Sequence, residues 1–309
     1  MLKNILKNAL KHRGLKFLID IIRSVVKNDF FGMASEMGFI LLAGFFTFLL
    51  FLMAIFGWLG TQFYMNNIIK ALSNILPHQT VELIHLVLNQ TMIFNHGELM
   101  AFIGIATTIV LSVNAVAVIL KGLNRAYKVE ETRSFIYTRI LSFLIMIVDV
   151  LILFLTINII IFGKVFVMFA VSQLGLSKGI ALMILTLRWP VAFLALYLMA
   201  FLNYYIMPNL KGNERFKRKS ALPGTAFFTF FWLLGSWGFS VYVNNFSTYN
   251  MVYGTIGAFF ILMIWLYYTS IVLLIGGEIN SRIYNSLEAK SNEIRDELKA
   301  LRDKTFNNK

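Results

Sequence analysis

The sequence contains no cysteine and few charged residues, and each shortage excludes a class of protein. Without cysteine, the chain has no disulfide, no thiolate metal site and no cysteine nucleophile. Charged residues make up 14% of the 309 positions, against about 25% in typical globular proteins. Hydrophobic residues make up 58%, and the mean hydropathy is +0.73. These values exclude an ordinary soluble domain and predict an integral membrane protein.

Sequence signatures of enzymes are also missing. The chain has no HExxH zinc motif, no phosphate-binding P-loop and no GxSxG nucleophile motif. His78, Glu82 and His85 stand at helical spacing and could present three metal ligands on one face, but exposed surface histidines are the simpler interpretation. We therefore predict no enzyme activity, no metal site and no cofactor.

Long uncharged runs predict six membrane-spanning helices. A charge at the centre of a bilayer costs roughly 2.5 to 3.5 kcal/mol, and about 20 residues are enough to cross, so uncharged runs of that length mark the spans. The predicted spans are residues 38–63, 99–120, 140–163, 180–206, 222–243 and 255–277. The predicted fold class is therefore all-α, with a six-span membrane domain at 37–278 between an amphipathic segment at 1–36 and a polar helical tail at 279–309.

The basic residues predict the orientation of this domain. Lys and Arg total 28, and 24 of them lie in the amino-terminal segment, in the loops 121–139 and 208–220, and in the tail from 278. Because basic loops stay on the cytoplasmic side, we expect both termini in the cytoplasm. The same charges can attract the anionic head groups of membrane lipids, which we predict as partners in place of nucleic acid. Apolar residues at helical spacing predict an interfacial helix within 1–36, and they include Phe17, Leu18, Ile21, Ile22 and Val25.

Two ionisable residues fall inside predicted spans, where such groups mark functional sites by default. Asp149 lies in the third span and Arg188 in the fourth, at heights that allow them to pair beside a polar pathway. The alternative is that Arg188 extends to the outer interface beside Trp189 while Asp149 is neutral or structurally paired. Pro190 predicts a kink that either lines a cavity or adjusts packing.

Other polar residues stand within or at the ends of the spans. Asn114 and Asn158 can hydrogen-bond to neighbouring helices, either as structural contacts or as part of the same pathway. Glu36 opens the first span and Glu278 closes the last. We expect both carboxylates to be hydrated at the cytoplasmic membrane edge, where they could face the basic loops across a vestibule.

Two blocks of sequence resemble the YihY/BrkB family of bacterial inner-membrane proteins. The first is a Leu-Asn-x-x-Tyr-x-Val pattern, and the second combines Pro-Gly, Tyr-Gly-x-x-Gly-Ala, Trp-Leu-Tyr and Gly-x-Glu-x-Asn elements. The motif positions are Asn124, Tyr127, Pro223, Gly224, Tyr253, Gly254, Gly257, Trp265, Gly276 and Asn280. The chain departs from the family in its first span, where Gly44-Phe45-Phe46-Thr47 replaces a Ser-x-x-Pro pattern.

The resemblance implies a protein of the bacterial plasma membrane with six spans and both ends inside. It also implies a role in the transport or distribution of a lipid-like or small amphipathic solute, while the family's older ribonuclease label is regarded as a misassignment. We therefore expect such a transporter. The alternative is a structural or scaffolding membrane protein whose polar residues lock the bundle.

Overall fold

The computed structural model describes residues 13–59, 81–82, 97–174, 177–245 and 247–307, and its regular structure there is entirely α-helical. The helices, numbered here in chain order, are α1 (Arg13–Lys27), α2 (Phe30–Leu59), α3 (Gly97–Tyr127), α4 (Phe135–Leu174), α5 (Lys178–Ile206), α6 (Glu214–Asn245) and α7 (Ser247–Asn307). Six of them, α2 to α7, are long and apolar enough to cross a membrane. The predicted all-α, six-span fold class is confirmed.

The helices extend further than the uncharged runs that predicted them. α3 continues through Lys121 and Arg125, and α6 begins within the basic segment at Glu214. α7 is the extreme case, because its 61 residues are about 90 Å long, against a bilayer core of about 30 Å. The polar tail therefore continues the last span as one helix. Residues 60–63 of the first predicted span lie outside the described residues.

The six long helices pack as a closed sequence of neighbours. Contacts join α3 to α2, α2 to α7, α7 to α6, α6 to α5, α5 to α4 and α4 back to α3. α7 also contacts α3. Successive spans run in opposite directions, so α1, the loops 128–134 and 207–213 and the part of α7 from residue 278 onward lie at the same end of the bundle. We call this the basic end.

The buried core lies in the half of the bundle next to the basic end. It takes Phe30 and Met37 from α2, Leu123 from α3, Tyr204 from α5 and Leu274 from α7, all with 2% or less of their surface exposed. The central part of α5 is different, because most side chains from 182 to 194 are exposed. Apolar side chains that are exposed on a membrane helix face lipid. The protein is thus most tightly packed where its basic segments meet the membrane.

The amphipathic helix α1 is attached to the bundle by two kinds of contact. Ile21 and Val25 are buried in the core of the bundle, whereas the apolar pattern predicted that they lie in the membrane interface. Arg282 of α7 also donates a hydrogen bond from Nη2 to the carbonyl of Asp20 at 2.7 Å. Leu18 and Ile22 of the same predicted stripe are 55% and 64% exposed, which leaves apolar surface available to the membrane interface. Residues 1–12, the rest of the predicted segment, lie outside the described residues.

Candidate functional site

The site begins with a close crossing of α6 and α7 at two glycines of the motif. A Cβ atom on Gly224 would lie 2.1 Å from the carbonyl oxygen of Gly276, and one on Gly276 would lie 2.3 Å from the Tyr204 hydroxyl. Only glycine permits this approach. Pro223 has no N–H to donate within α6, and the next N–H, that of Gly224, donates to Asn280 Oδ1 at 2.6 Å. Asn280 therefore joins the two helices where the proline interrupts α6.

Glu278 lies next to this crossing and is completely buried. Its Oε1 atom lies 2.8 Å from Arg282 Nε and 3.3 Å from Lys128 Nζ. Its other oxygen, Oε2, makes no hydrogen bond to any described residue. The expectation that Glu278 is hydrated at a membrane edge is wrong, because α7 continues past it and packs against its neighbours, so that no water reaches the carboxylate.

Three further polar side chains, Tyr127, Tyr204 and Asn280, are buried in the same part of the bundle. The Tyr204 hydroxyl donates to the Leu273 carbonyl at 2.7 Å, and the Tyr127 hydroxyl lies 3.5 Å from the Tyr204 carbonyl. Asn280 is also fully buried, and its side chain interacts with the Tyr127 hydroxyl and accepts from the Gly224 N–H. These contacts account for much of the polar surface buried at this crossing, since buried polar groups are normally paired.

Asn124 connects the two loops of the basic end. Its Oδ1 accepts from the Asn209 N–H at 2.8 Å, and its Nδ2 donates to Glu131 Oε2 at 2.7 Å. Arg133 binds Glu131 at 2.6 Å and donates to the Met207 carbonyl at 2.8 Å. Burial raises the pKa of Glu131, but the hydrogen bonds from Arg133 and Asn124 outweigh it and hold the pKa below its usual value.

A cavity of about 380 Å³ opens beside this cluster at the basic end. Its walls come from the end of α3, the loops 128–134 and 207–213, and the part of α7 just beyond Glu278. The lining residues are Tyr127, Lys128, Val129, Glu130, Thr132, Asn209, Leu210, Lys211, Tyr284, Asn285 and Glu288. Lys128 belongs both to this lining and to the ion pair with Glu278.

The structure does not pair Asp149 with Arg188, and it instead shows the alternative contacts, Asp149 with Asn203 and Arg188 with Trp189. Both oxygens of Asp149 accept from Asn203 Nδ2, at 3.1 and 3.3 Å. Arg188 precedes Asn203 by fifteen residues of the same helix, which separates them by about 22 Å along its axis. Arg188 lies over the ring of Trp189, 5.4 Å from its centroid. Asp149 therefore belongs to the basic end, within one turn of the end of α5, while Arg188 lies far from it.

The remaining polar candidates are spread over the bundle. Asn114 accepts a hydrogen bond from Arg139 Nη1 and so joins α3 to α4. Asn158 donates to Phe154 O at 2.7 Å, within its own helix. Pro190 is exposed on α5. Glu36 is 40% exposed and binds Lys121 at 2.8 Å, so it is a surface ion pair.

The other motif residues lie along α7, away from the polar cluster. Trp265 donates from Nε1 to Ser236 Oγ at 3.3 Å and contacts the ring of Trp232 edge-on. Gly257 is buried. Tyr253 and Gly254 lie in the first turns of α7. Trp265 therefore helps to position α7 against α6.

The three residues considered as possible metal ligands lie largely outside the described residues. His78 and His85 lie outside them, and Glu82 is described. Among described residues, no three His, Asp or Glu side chains come together as metal ligands would.

Sequence reasoning did not assign a role to Lys128 or Arg282, the two cations that neutralise Glu278. Arg282 follows Glu278 by four residues on a helix, a spacing at which opposite charges interact, so this partner could have been anticipated. Lys128 reaches Glu278 from another helix end, and 150 residues separate them in the chain. No local pattern indicates such a contact.

Comparison with known proteins identifies one family across most of the chain. The family model described as Virulence factor BrkB matches residues 21–300. The ribonuclease-like protein YfkH of Bacillus subtilis is 29% identical over 270 residues, which cover 87% of this chain and 96% of that protein. A UPF0761 membrane protein of Pseudoalteromonas atlantica is 30% identical over 63% of this chain and 61% of its own length.

More distant relatives carry the same description. The UPF0761 membrane protein YihY of Salmonella typhimurium is 26% identical over 114 residues, which are 34% of this chain and 39% of that protein. No solved structure matches the chain.

Proposed function

Because the chain belongs to the BrkB family of bacterial membrane proteins, we propose that it acts in the plasma membrane by moving, or helping to distribute, a lipid-like or small amphipathic solute. The proposal rests mainly on Glu278, a carboxylate with no exposed surface inside a bundle of membrane helices. Ionisable groups in such positions are costly, and they commonly mark substrate or ion pathways. Lys128, which pairs with this carboxylate, also lines the adjoining cavity, so a charge bound in the cavity would act on Glu278 through Lys128.

The proposal includes an orientation. The basic end carries most of the Lys and Arg residues, and the positive-inside rule assigns it to the cytoplasm. The cavity then opens toward the cytoplasm, at the level where α3 and α5 end. A solute would enter or leave at the inner leaflet.

We do not include ribonuclease activity, although the name of YfkH contains that term. Metal-assisted cleavage of RNA needs acidic side chains that hold a metal ion next to a phosphate. At the basic end, Glu278 and Glu131 are instead paired with Lys and Arg side chains. The contrary result would be a metal-dependent RNA-cleaving activity. This activity would have to copurify with the protein and be lost when Glu278 is substituted.

A transport assay in vesicles tests the function directly. Purified protein is reconstituted into liposomes that contain fluorescent phospholipid, and lipid movement between the leaflets is followed by chemical quenching. We expect movement above the rate in protein-free vesicles and a marked decrease for Glu278→Gln, with Glu36→Gln as the control carboxylate. Movement at the protein-free rate, for lipid and for small amphipathic solutes alike, would refute the proposal.

A scaffolding role is the second candidate, and the length of α7 favours it. Ile294, Leu298 and Leu301 of this helix are exposed beyond the packed core, where they could contact a partner protein. Deletion of residues 286–309 separates the two functions. A scaffold would lose its partners in pull-down experiments, whereas a transporter would keep its flux.

A further inference from the structure

The cavity at the basic end carries charges of both signs around an apolar floor. Tyr127, Leu210 and Tyr284 form the floor, and each is at most 8% exposed. The Tyr284 hydroxyl lies so close to the backbone of Gly212, in the loop 207–213, that a Cβ atom on Gly212 would be 1.7 Å from its oxygen. The floor is therefore fixed by packing and is not formed by loose surface side chains.

Two lysines and two glutamates line this floor, namely Lys128, Lys211, Glu130 and Glu288. The ion pairs between described residues include none that involves Lys211, Glu130 or Glu288. The lining therefore presents charges of both signs, with Lys128 shared between the cavity and the buried Glu278. A ligand of one charge would meet side chains of its own sign, whereas a zwitterion can place each of its charges against side chains of the opposite sign.

Lys128 has a left-handed backbone conformation directly after the end of α3, with a φ angle of +58°. Hydrogen bonds from Lys128 N to Arg125 O at 3.1 Å and from Val129 N to Asn124 O at 3.0 Å fix this conformation, which is a common way for a helix to end. The Lys128 side chain lines the cavity and also pairs with the buried Glu278, so it connects the two.

The cavity volume sets the size of the ligand. Small-molecule sites commonly measure about 300 to 1,000 Å³, so a cavity of about 380 Å³ suits a small polar group and is too small for a whole lipid. The cavity lies at the level where α3 and α5 end, so acyl chains attached to such a group would remain in the membrane outside it.

From these features we propose that the cavity binds a zwitterion that carries one phosphate and one primary ammonium group, the chemistry of phosphoethanolamine. The phosphate binds Lys128 and Lys211, and the ammonium group binds Glu130 and Glu288. The proposal rests on the proposed function only for the role of this group as cargo. Binding itself is measured at equilibrium, without transport.

The test is calorimetric titration of the purified full-length protein in detergent with two probes. Dihexanoyl phosphatidylethanolamine presents the group as a lipid, and O-phosphoethanolamine presents it free in solution. Binding of either probe supports the proposal, and their relative affinities show whether a lipid or a soluble molecule is the source. Dihexanoyl phosphatidylglycerol, which lacks the ammonium group, is expected to bind at least ten-fold more weakly than the ethanolamine lipid.

Cavity variants locate the binding. Lys211→Gln and Glu130→Gln, both at exposed positions that leave the fold intact, are each expected to weaken binding roughly ten-fold. Lys290→Gln and Glu293→Gln, at exposed positions of α7 outside the cavity lining, serve as matched controls and should bind normally. The proposal would be overturned by any of three results. These are equal affinities for the glycerol and the ethanolamine lipid, unchanged binding by both cavity variants, and no binding of either ethanolamine probe.

The outcome is distinguishable from that of the proposed function. Lipid movement without binding at the cavity would refute this inference and leave the transport proposal standing. Binding at the cavity without movement of any solute would support the inference and refute transport.

Discussion

Glu278 shows how a single carboxylate is accommodated inside an apolar bundle. Two cations from separate parts of the chain, Arg282 one turn further along α7 and Lys128 at the end of α3, share its Oε1 atom. Removing one partner of a buried pair is more damaging than the net value of the pair, because the remaining charges lose their compensation. Substitution of Glu278 is therefore expected to affect both the stability of the folded protein and the proposed transport.

We predict that Glu278→Gln destabilises the protein much more than Glu36→Gln. Loss of the buried charge should cost roughly 1 to 3 kcal/mol of unfolding free energy, because Lys128 loses its counter-charge and Arg282 keeps only the longer contact with Asp20. Glu36 and Lys121 are both substantially exposed, and such pairs are worth about 1 kcal/mol or less. Thermal unfolding of both variants in detergent measures the difference, and equal midpoints would contradict the structural role of Glu278.

The lowered pKa of Glu131 predicts a pH dependence. Because its folded pKa lies below the unfolded value, the stabilisation is fully present above the ordinary glutamate range and is lost as pH falls through the folded pKa. Glu131→Gln should flatten the acid side of a plot of unfolding temperature against pH, while the neighbouring control Glu130→Gln should leave that slope unchanged. An identical acid slope for Glu131→Gln and the unaltered protein would show that the network with Arg133 and Asn124 contributes nothing.

The position of Asp149 gives a third prediction at the residue scale. Double-mutant cycles with alanine should show coupling between Asp149 and Asn203, which are in hydrogen-bond contact. Asp149 and Arg188 should be additive within about 0.5 kcal/mol, because a helix segment of about 22 Å separates Arg188 from the partner of Asp149. Stability in detergent measures both cycles, and strong coupling of Asp149 to Arg188 would contradict the structure.

At the residue scale, the sequence revealed which polar groups are unusual but not their partners. The charge of Asp149 inside an apolar run was visible, yet its partner Asn203 is neutral and lies on another helix. Glu278 looked like an edge residue because charged residues follow it in the chain. Burial depends on what packs around a position, and the continuation of α7 against α3 and α6 is a tertiary property.

At the scale of elements, the crossing of α6 and α7 holds the site together. Gly224 and Gly276 let the two backbones approach, and Asn280 bridges them with a buried hydrogen bond. Small residues at such crossings are how membrane helices achieve close packing. The crossing also fixes the direction in which Glu278, two residues before Asn280, enters the bundle.

We predict that Gly224→Ala separates these helices, whereas Gly238→Ala does not. The added methyl group at 224 would meet the Gly276 carbonyl at 2.1 Å and the Asn280 amide at 2.5 Å, so a helix must shift. A Cβ atom on Gly238, also in α6, meets nothing within 4 Å, and alanine there should be neutral or slightly stabilising. Unfolding temperatures in detergent check this contrast, and equal stability of the two variants would be the contrary result.

The number and type of elements could be predicted from the sequence because the apolar runs are long enough to cross a bilayer. Their ends could not, since helices such as α3 and α7 continue into charged segments where hydropathy falls but helix propensity remains. The Pro-Gly and Gly-x-Glu-x-Asn elements were visible in the sequence as parts of the family pattern. That they meet each other is visible only in the folded structure.

At the scale of the whole molecule, packing is densest at the basic end, and the rest of the described bundle exposes apolar surface. The core cluster, the ion pairs of Glu278 and the cavity all lie at that end. A membrane supplies the surroundings for the exposed side chains of α4, α5 and α6. The account therefore depends on six crossings that leave this end in the cytoplasm.

The absence of cysteine allows this arrangement to be measured without background. Single cysteines are introduced at exposed positions of the two ends, Ser177→Cys before α5 and Lys219→Cys or Lys290→Cys at the basic end. Intact cells are then treated with a membrane-impermeant maleimide. We predict labelling of the cysteine at 177 from outside, and labelling of those at 219 and 290 only after the membrane is permeabilised. Labelling of position 219 or 290 in intact cells, with position 177 protected, would contradict the account.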